Sequence, residues 1–228
     1  ADAAPDVLAA FATSDRRGGG AAGGPGIAQS FHHSILPLAA VHDRRTEIAW
    51  GLRDFEYRFG RAAKARWLPE TAADLTTLRL MAEAGVEATI LAPWQAEAHH
   101  LDNRQPYRVD VGGGRHVTVL FYDADLSAAV SFEPAVTADA DHFARERIAP
   151  RLGGSLHDGR APMLVIASDG ELYGHHQSFR DLFLHRLVAP SATTPDRGYD
   201  VVTVADVAED AAGHPYPEIR IRDRTPWA

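Results

Sequence analysis

Apolar and polar positions along the chain fall into short blocks that switch between helical and strand periods. Residues 2–14 carry a helical pattern, and the glycine-rich run from Arg17 to Gly26 is too flexible to pack, so residues 15–25 read as a loop. Gly26 to Phe31 reads as extended, and the proline within Ile35 to Leu38 breaks regular structure there. Asp43 to Phe59 spaces Ile48, Trp50, Leu52 and Phe55 among charges as a helix does. A strand, helix, strand order follows. Ala65 to Leu68 is a short apolar piece, and Thr71 with Asp74 gives a capping-box-like helix start. Leu75, Leu78, Met81 and Ala82 form that helix's apolar face, Gly85 stands where a glycine closes a helix, and Val86 to Ala92 reads as a strand.

Beyond residue 100 the pattern changes. Arg108 to Val111 and His116 to Tyr122 flank Gly112 to Gly114 and predict a β-hairpin, an excursion near 107–122 from a parallel scheme. Helices are predicted at 124–132 and 137–148, separated by Pro134, with a glycine-rich turn at 153–159. Pro162 to Ala167 is an almost continuous apolar run, as a parallel strand buried on both faces would be. A helix over 177–188 would present Phe179, Leu182, Phe183 and Leu187 on one side, and Tyr199 to Val204 is a last strand candidate before a short helix. No internal repeat is visible, and the alternation predicts one α/β domain over residues 1–228.

Composition narrows the function. With 228 residues, 45% of them hydrophobic, the chain can bury a substantial core. It has no cysteine, which excludes disulfides, thiolate catalysis and Cys-ligated zinc and fits a reducing compartment. A net charge of −8 with scattered cations argues against a nucleic-acid groove and suits a neutral substrate. No apolar stretch reaches membrane-spanning length and no secretory signal opens the chain, so a soluble protein that binds neither membrane nor nucleic acid is expected, cytoplasmic by preference with periplasmic placement left open. The chain opens on Ala1 rather than methionine, which leads us to expect a fragment or processed form. Oligomeric state leaves no trace in the sequence.

Two acidic residues stand out by position. Glu70 and Asp169 each follow an apolar strand candidate and precede a helix candidate, which puts both at carboxyl ends of strands, the face that holds the active site in barrel enzymes. Retaining glycosidases need two carboxyl groups about 5 to 5.5 Å apart, one attacking the anomeric carbon and one protonating the leaving oxygen. Position alone leaves another role open, since acidic residues also satisfy amides at helix starts.

Motifs around these residues add a family. Trp67-Leu68-Pro69-Glu70 resembles the nucleophile motif of glycoside hydrolase family 57, and Asp169-Gly170-Glu171 with Leu172-Tyr173-Gly174-His175-His176 resembles the family's later motif, whose aspartate is the general acid. His33-Ser34-Ile35-Leu36-Pro37-Leu38 is similar to the second motif. Trp50-Gly51-Leu52-Arg53-Asp54-Phe55, Arg58-Phe59-Gly60-Arg61 and Ile90-Leu91-Ala92-Pro93-Trp94-Gln95-Ala96 resemble a bacterial subgroup related to α-amylases and α-mannosidases. The likeness spans residues 26 to 188, and the family's first motif has no counterpart before residue 26. It implies part of a (β/α)7 TIM-like barrel and a retaining enzyme of carbohydrate metabolism. That enzyme would cleave or transfer α-glycosidic linkages of an α-glucan-like oligo- or polysaccharide. Glu70 would be its nucleophile and Asp169 its general acid.

The other candidates are weighed against plainer roles. His33 could hydrogen-bond a sugar hydroxyl or pack at the rim, and the motif favours the former. Glu171 could tune the acid or bind sugar. Trp67 and Trp94 could stack on sugar rings, with packing the stronger reading for Trp67. His175 and His176, like His99 and His100, invite a metal, but neighbouring histidines point apart and no zinc spacing such as HExxH occurs, so His175 and His176 stand as substrate contacts and no metal or other cofactor is expected. The glycine runs lack a dinucleotide or phosphate-loop context, and no GxSxG elbow exists for a serine hydrolase. Two alternatives stay open: a carbohydrate-binding barrel without turnover, and a metal-dependent polysaccharide deacetylase.

Overall fold

A computed structural model describes residues 4–18, 23–189, 198–213 and 216–222. In chain order the elements are helices α1 (Pro5–Gly18) and α2 (Val41–Phe59), strand β1 (Ala65–Arg66), helix α3 (Leu75–Glu83), strands β2 (Ala88–Leu91), β3 (Tyr107–Gly112) and β4 (Arg115–Phe121), and helices α4 (Ala124–Phe132), α5 (Ala140–Phe143), α6 (Arg180–Val188) and α7 (Val204–Gly213). Single 3-10 turns lie at Leu36–Leu38, Pro69–Thr71, Pro93–Gln95 and Gly170–Leu172. The described residues form two compact units. The first comprises the described residues within 1–101, 106–120 and 202–228, and the second those within 102–105 and 121–201.

The first unit holds a four-stranded sheet ordered β1, β2, β4, β3. β1 runs parallel to β2, Ala65 opposite Ala88, and β3 runs antiparallel to β4, Val109 opposite Val117. The hairpin is the antiparallel departure from a parallel scheme expected near 107–122, and it is built into the sheet: β4 lies beside β2, in keeping with the consecutive burial of Val117, Thr118, Val119 and Leu120. Helix α7 covers β1 and β2 through a cluster of small residues, Ala65, Ala88 and Ala208, that permits close approach. A strand at Tyr199 to Val204 is not formed. Val201 and Val202 are exposed, and the Thr203 amide donates to the Asp206 carboxylate while the Asp206 amide donates to the Thr203 hydroxyl, a reciprocal cap that starts α7 instead.

Local signals explain most boundaries. Gly60 ends α2 in the left-handed region at φ 71°, donating to the Glu56 carbonyl, and Gly85 at φ 85° follows α3 as expected. Helix α3 starts at Asp74 rather than Thr71, because the Asp74 carboxylate accepts from the Thr77 amide at 2.7 Å. Its buried face is Thr77, Leu78, Leu80 and Met81, while Leu75 is exposed. Helix α1 runs through Asp15 to Gly18, inside the expected loop. Asp15 is buried and pinned by Arg61 at 2.7 and 2.8 Å and by the Gly26 amide at 2.8 Å. Residues 19–22 of that loop, and residues 2–3 of the first predicted helix, lie outside the described residues.

The second unit is built on α4, α5 and α6, whose Leu126, Val130, Phe143, Phe183 and Leu187 form one core with Ile148 and Leu172. Phe143 and Phe183 meet edge to face at 5.3 Å. A π-helical turn, Ala144–Ile148, continues α5 and completes the helical stretch expected there. Pro162 to Ala167 is not a strand. It is half-buried, and its backbone bonds go to unlike partners: the Met163 amide to the Arg104 carbonyl, the Val165 carbonyl to the Asp123 amide and the Ala167 amide to the Ser127 hydroxyl. Helix α6 starts only at Arg180 and buries Phe183 and Leu187. Phe179, left-handed at φ 64°, and Leu182 face solvent rather than the core. Among the described residues no helix is long and apolar enough to cross a membrane.

Candidate active site

Three parallel segments lie side by side in the first unit. Ala28 bridges Arg66 in parallel, donating to the Ala65 carbonyl at 3.0 Å and accepting from the Trp67 amide at 2.8 Å, and β2 flanks β1 on the other side. The segments that follow all three leave at the same, carboxyl edge. They carry His33, then Trp67 and Glu70, then Trp94 and Gln95.

Glu70 sits on the Pro69–Thr71 turn just past β1, the strand-end position expected for it. The alternative role as a helix cap is taken by Asp74. The Glu70 carboxylate is open to solvent, with 58% of its side chain exposed, and the His33 Nε2 lies 3.4 Å from its Oε1. The backbone is unusual here: Glu70 has φ 55°, Thr71 φ 53° and His33 φ 54°. Left-handed backbone is uncommon outside glycine and is a genuine outlier for a β-branched residue such as Thr71. Such strain clusters at sites where function needs a particular geometry.

Beneath this edge is a polar assembly that the sequence reading missed. Arg66 is fully buried, with its guanidinium donating to the Ile48 and Glu47 carbonyls at 3.1 and 3.3 Å and to the Ser30 hydroxyl at 3.0 Å. Burial pulls it down to about 10, against the opposing pull of the Glu47 charge. The Glu47 carboxylate accepts from the His32 amide at 2.9 Å and contacts its Nδ1 at 2.7 Å. Burial alone would raise Glu47, but the His32 hydrogen bonds outweigh it and hold the carboxyl below its ordinary range. His32 also meets the exposed rings of Phe31 and Trp50 at 4.7 and 5.9 Å. The one signal in the sequence was an arginine inside the apolar piece Ala65 to Leu68. Of the two expected platforms, Trp67 is half-buried and Trp94 is exposed.

In the second unit Asp169 precedes the Gly170–Leu172 turn, exposed and with no side-chain cap bond. The reading of Asp169 as a cap for its own turn therefore finds no support. Beside it, Ser168 and Tyr173 share a hydroxyl hydrogen bond of 2.7 Å. The next turn folds back on itself, with the His175 and His176 amides both donating to the Glu171 carbonyl. Glu171, His175 and His176 are all exposed; His176 Nε2 lies 3.7 Å from Glu171 Oε2, and the two imidazoles are 4.8 Å apart. Gln177 and Arg180 fasten the turn's far end to Thr137 at 3.2 and 2.8 Å. Among the described residues no three His, Asp or Glu side chains gather as metal ligands would.

An exposed carboxylate on a strained turn thus stands at the carboxyl edge of parallel segments of an α/β sheet, over a buried charge network. The chain belongs to glycosyl hydrolase family 57, whose model matches residues 27–220. The match runs past the expected end at residue 188. Solved structures agree on the fold. The α-amylase AmyC from Thermotoga maritima superposes with a TM-score of 0.77 at 15% identity, covering 97% of this chain and 54% of that one. A family 57 type branching enzyme from Pyrococcus horikoshii gives 0.72 at 16%, covering 97% and 50%, and the 4-α-glucanotransferase from Thermococcus litoralis gives 0.69 at 20%, covering 96% and 31%. The chain thus spans between about a third and about half of these enzymes and is part of a (β/α)7 barrel fold. No curated protein sequence matches it.

Proposed function

We propose that the protein is a retaining glycoside hydrolase or glucanotransferase acting on α-glycosidic linkages of an α-glucan-like oligo- or polysaccharide, with Glu70 as nucleophile and Asp169 as general acid. The observation that carries this reading is the solvent-open Glu70 carboxylate on its strained strand-end turn, freed from capping by Asp74. Family membership supports it, and so do solved structures named as an amylase, a branching enzyme and a glucanotransferase.

In the first step a Glu70 oxygen attacks the anomeric carbon as the glycosidic bond breaks, and Asp169 gives its proton to the leaving oxygen. In the second, Asp169 takes a proton from water or from an acceptor hydroxyl, which attacks the same carbon and releases Glu70. Two inversions retain configuration. His33, near the Glu70 carboxylate, is suited to orient it and to bind a sugar hydroxyl. Trp67 and Trp94 offer ring faces to the sugar, and Glu171, His175 and His176 offer polar contacts.

Replacing Glu70 or Asp169 by alanine in the intact protein is expected to abolish turnover of an activated α-glycoside, with azide restoring product in the Glu70 variant. Full activity of Glu70→Ala would sink the assignment. Sugar binding with no turnover in the wild-type protein would favour the binding-barrel alternative.

A further inference from the structure

Two successive residues in the left-handed region, one a threonine, persist only when their surroundings over-determine them. The local bonds of the turn, from the Thr71 amide to the Leu68 carbonyl and from the Ala72 amide to the Pro69 carbonyl, are of the kind any 3-10 turn makes. A further bond comes from a different strand end. The Thr71 carbonyl accepts from Gln95 Nε2 at 3.0 Å, across 24 residues of sequence.

Gln95 is itself held on several sides. It is buried, its Oε1 accepts from the Ala92 amide at 2.8 Å, its own amide donates to the Ala92 carbonyl at 3.0 Å, and its carbonyl accepts from the Arg222 amide at 2.8 Å. The Ala92 amide needs an acceptor while the Thr71 carbonyl needs a donor, and a primary amide of this length supplies both at once. Glutamate would keep the first bond and, ionised, lose the second; methionine would lose both. The residue therefore links the loop after β2 to the strained turn after β1, on the edge where Glu70 is presented.

We propose that Gln95 is a positioning residue for the reaction proposed above: by holding the Thr71 carbonyl it keeps the Glu70 turn in its strained form and so fixes the direction of the nucleophile. This rests on Glu70 being that nucleophile. A role limited to capping the Pro93–Gln95 turn would leave catalysis indifferent to the Thr71 bond.

The test compares wild type, Glu70→Ala, Gln95→Met, Gln95→Glu, Thr71→Gly and the Thr71→Gly/Gln95→Met pair in the intact protein, on an activated α-glycoside. Gln95→Met should keep KM and lose kcat by about 100-fold, the size of an ångström-scale misplacement. Gln95→Glu should fall the same way, and carries the test if the methionine variant does not fold. Glycine at position 71 adopts φ 53° without strain, so adding Gln95→Met to Thr71→Gly should cost less than about a tenth of what it costs in wild type. Hydrogen exchange gives a readout independent of turnover: the amides of Glu70, Thr71 and Ala72 should exchange about 10-fold faster in Gln95→Met and little faster when Thr71→Gly is already present. Wild-type kcat in both Gln95 variants, or an equal loss in both Thr71 backgrounds, overturns the positioning role. An active Glu70→Ala overturns the nucleophile assignment instead, so the two failures are told apart.

Discussion

Substituting Asp74 by alanine should unfold the protein well before wild type. Its carboxylate caps α3 through the Thr77 amide at 2.7 Å and pairs with Arg44 Nη1 at 2.9 and 2.7 Å. Arg44 also donates to the Thr77 hydroxyl, to the Ala39 carbonyl at 2.9 Å and to the Pro37 carbonyl at 2.8 Å, so one guanidinium joins α2, the start of α3 and the turn behind His33. Losing the cap costs about 1 kcal/mol. Breaking a buried ion pair costs ~3–5 kcal/mol, but here the side chains stay 10% and 17% exposed and Arg44 keeps two carbonyl partners. A figure of about 2 kcal/mol is therefore the better measure of the unpaired charge. The total, about 3 kcal/mol, corresponds to a fall in Tm of roughly 6–12 °C for a chain of this length. Circular dichroism melts at pH 7 measure it. Adding Arg44→Leu to Asp74→Ala should cost less than the two single losses summed, because the uncompensated charge leaves with the arginine. A Tm change under about 2 °C for Asp74→Ala, or strict additivity with Arg44→Leu, would refute this account of the pair.

Acid should act on the same groups. For Asp74 and Glu47 burial works to raise the pKa and is outweighed, in Asp74 by the Thr77 and Arg44 hydrogen bonds and in Glu47 by His32; for Asp15 the Arg61 hydrogen bond leads. All three are held below their ordinary values, so the unfolded chain takes up protons first. Their stabilisation is complete above the unfolded pKa values, about 3.9 for Asp and 4.3 for Glu, and is lost as pH falls from there through the folded values. Tm should drop between pH 5 and pH 3, and the gap between wild type and Asp74→Asn should narrow over that range; a constant gap contradicts the linkage. Gly51→Ala should destabilise by about 1–3 kcal/mol although alanine normally favours a helix. A Cβ there would lie 1.9 Å from the Gln29 carbonyl, where α2 crosses the extended segment leading to His33. A raised Tm for that variant would show that the crossing is looser than described.

What was legible in the sequence was whatever local chemistry dictates. Gly85 past α3, the glycines between β3 and β4 and the periodicity of α2 act within a few residues, and the placement of Glu70 after an apolar piece and before a helix needed no distant contact. Family 57 motifs then joined Glu70 to Asp169 and His33 across long gaps in the chain. What escaped depends on tertiary partners. Arg66 and Glu47 are residue types that usually face water, and nothing near them in sequence announces the carbonyls of α2 and the Ser30 hydroxyl that permit the burial of Arg66, or the His32 amide and ring that hold the Glu47 carboxylate. The left-handed backbone at His33, Glu70 and Thr71 carries no glycine or asparagine to betray it. Pro162 to Ala167 has the composition of a buried strand, yet its backbone partners are scattered, and Phe179 with Leu182 shows that apolar spacing fails once a helix starts three residues late.

The nucleophile assignment is open to direct chemical capture. Incubating the intact protein with a fluorinated α-glycosyl fluoride should slow release of the glycosyl enzyme enough for peptide mapping by mass spectrometry. The account predicts one added glycosyl group on the peptide containing Glu70, absent in Glu70→Gln, with anomeric configuration retained in the products of ordinary turnover. A label on another carboxylate, or products of inverted configuration, would contradict it.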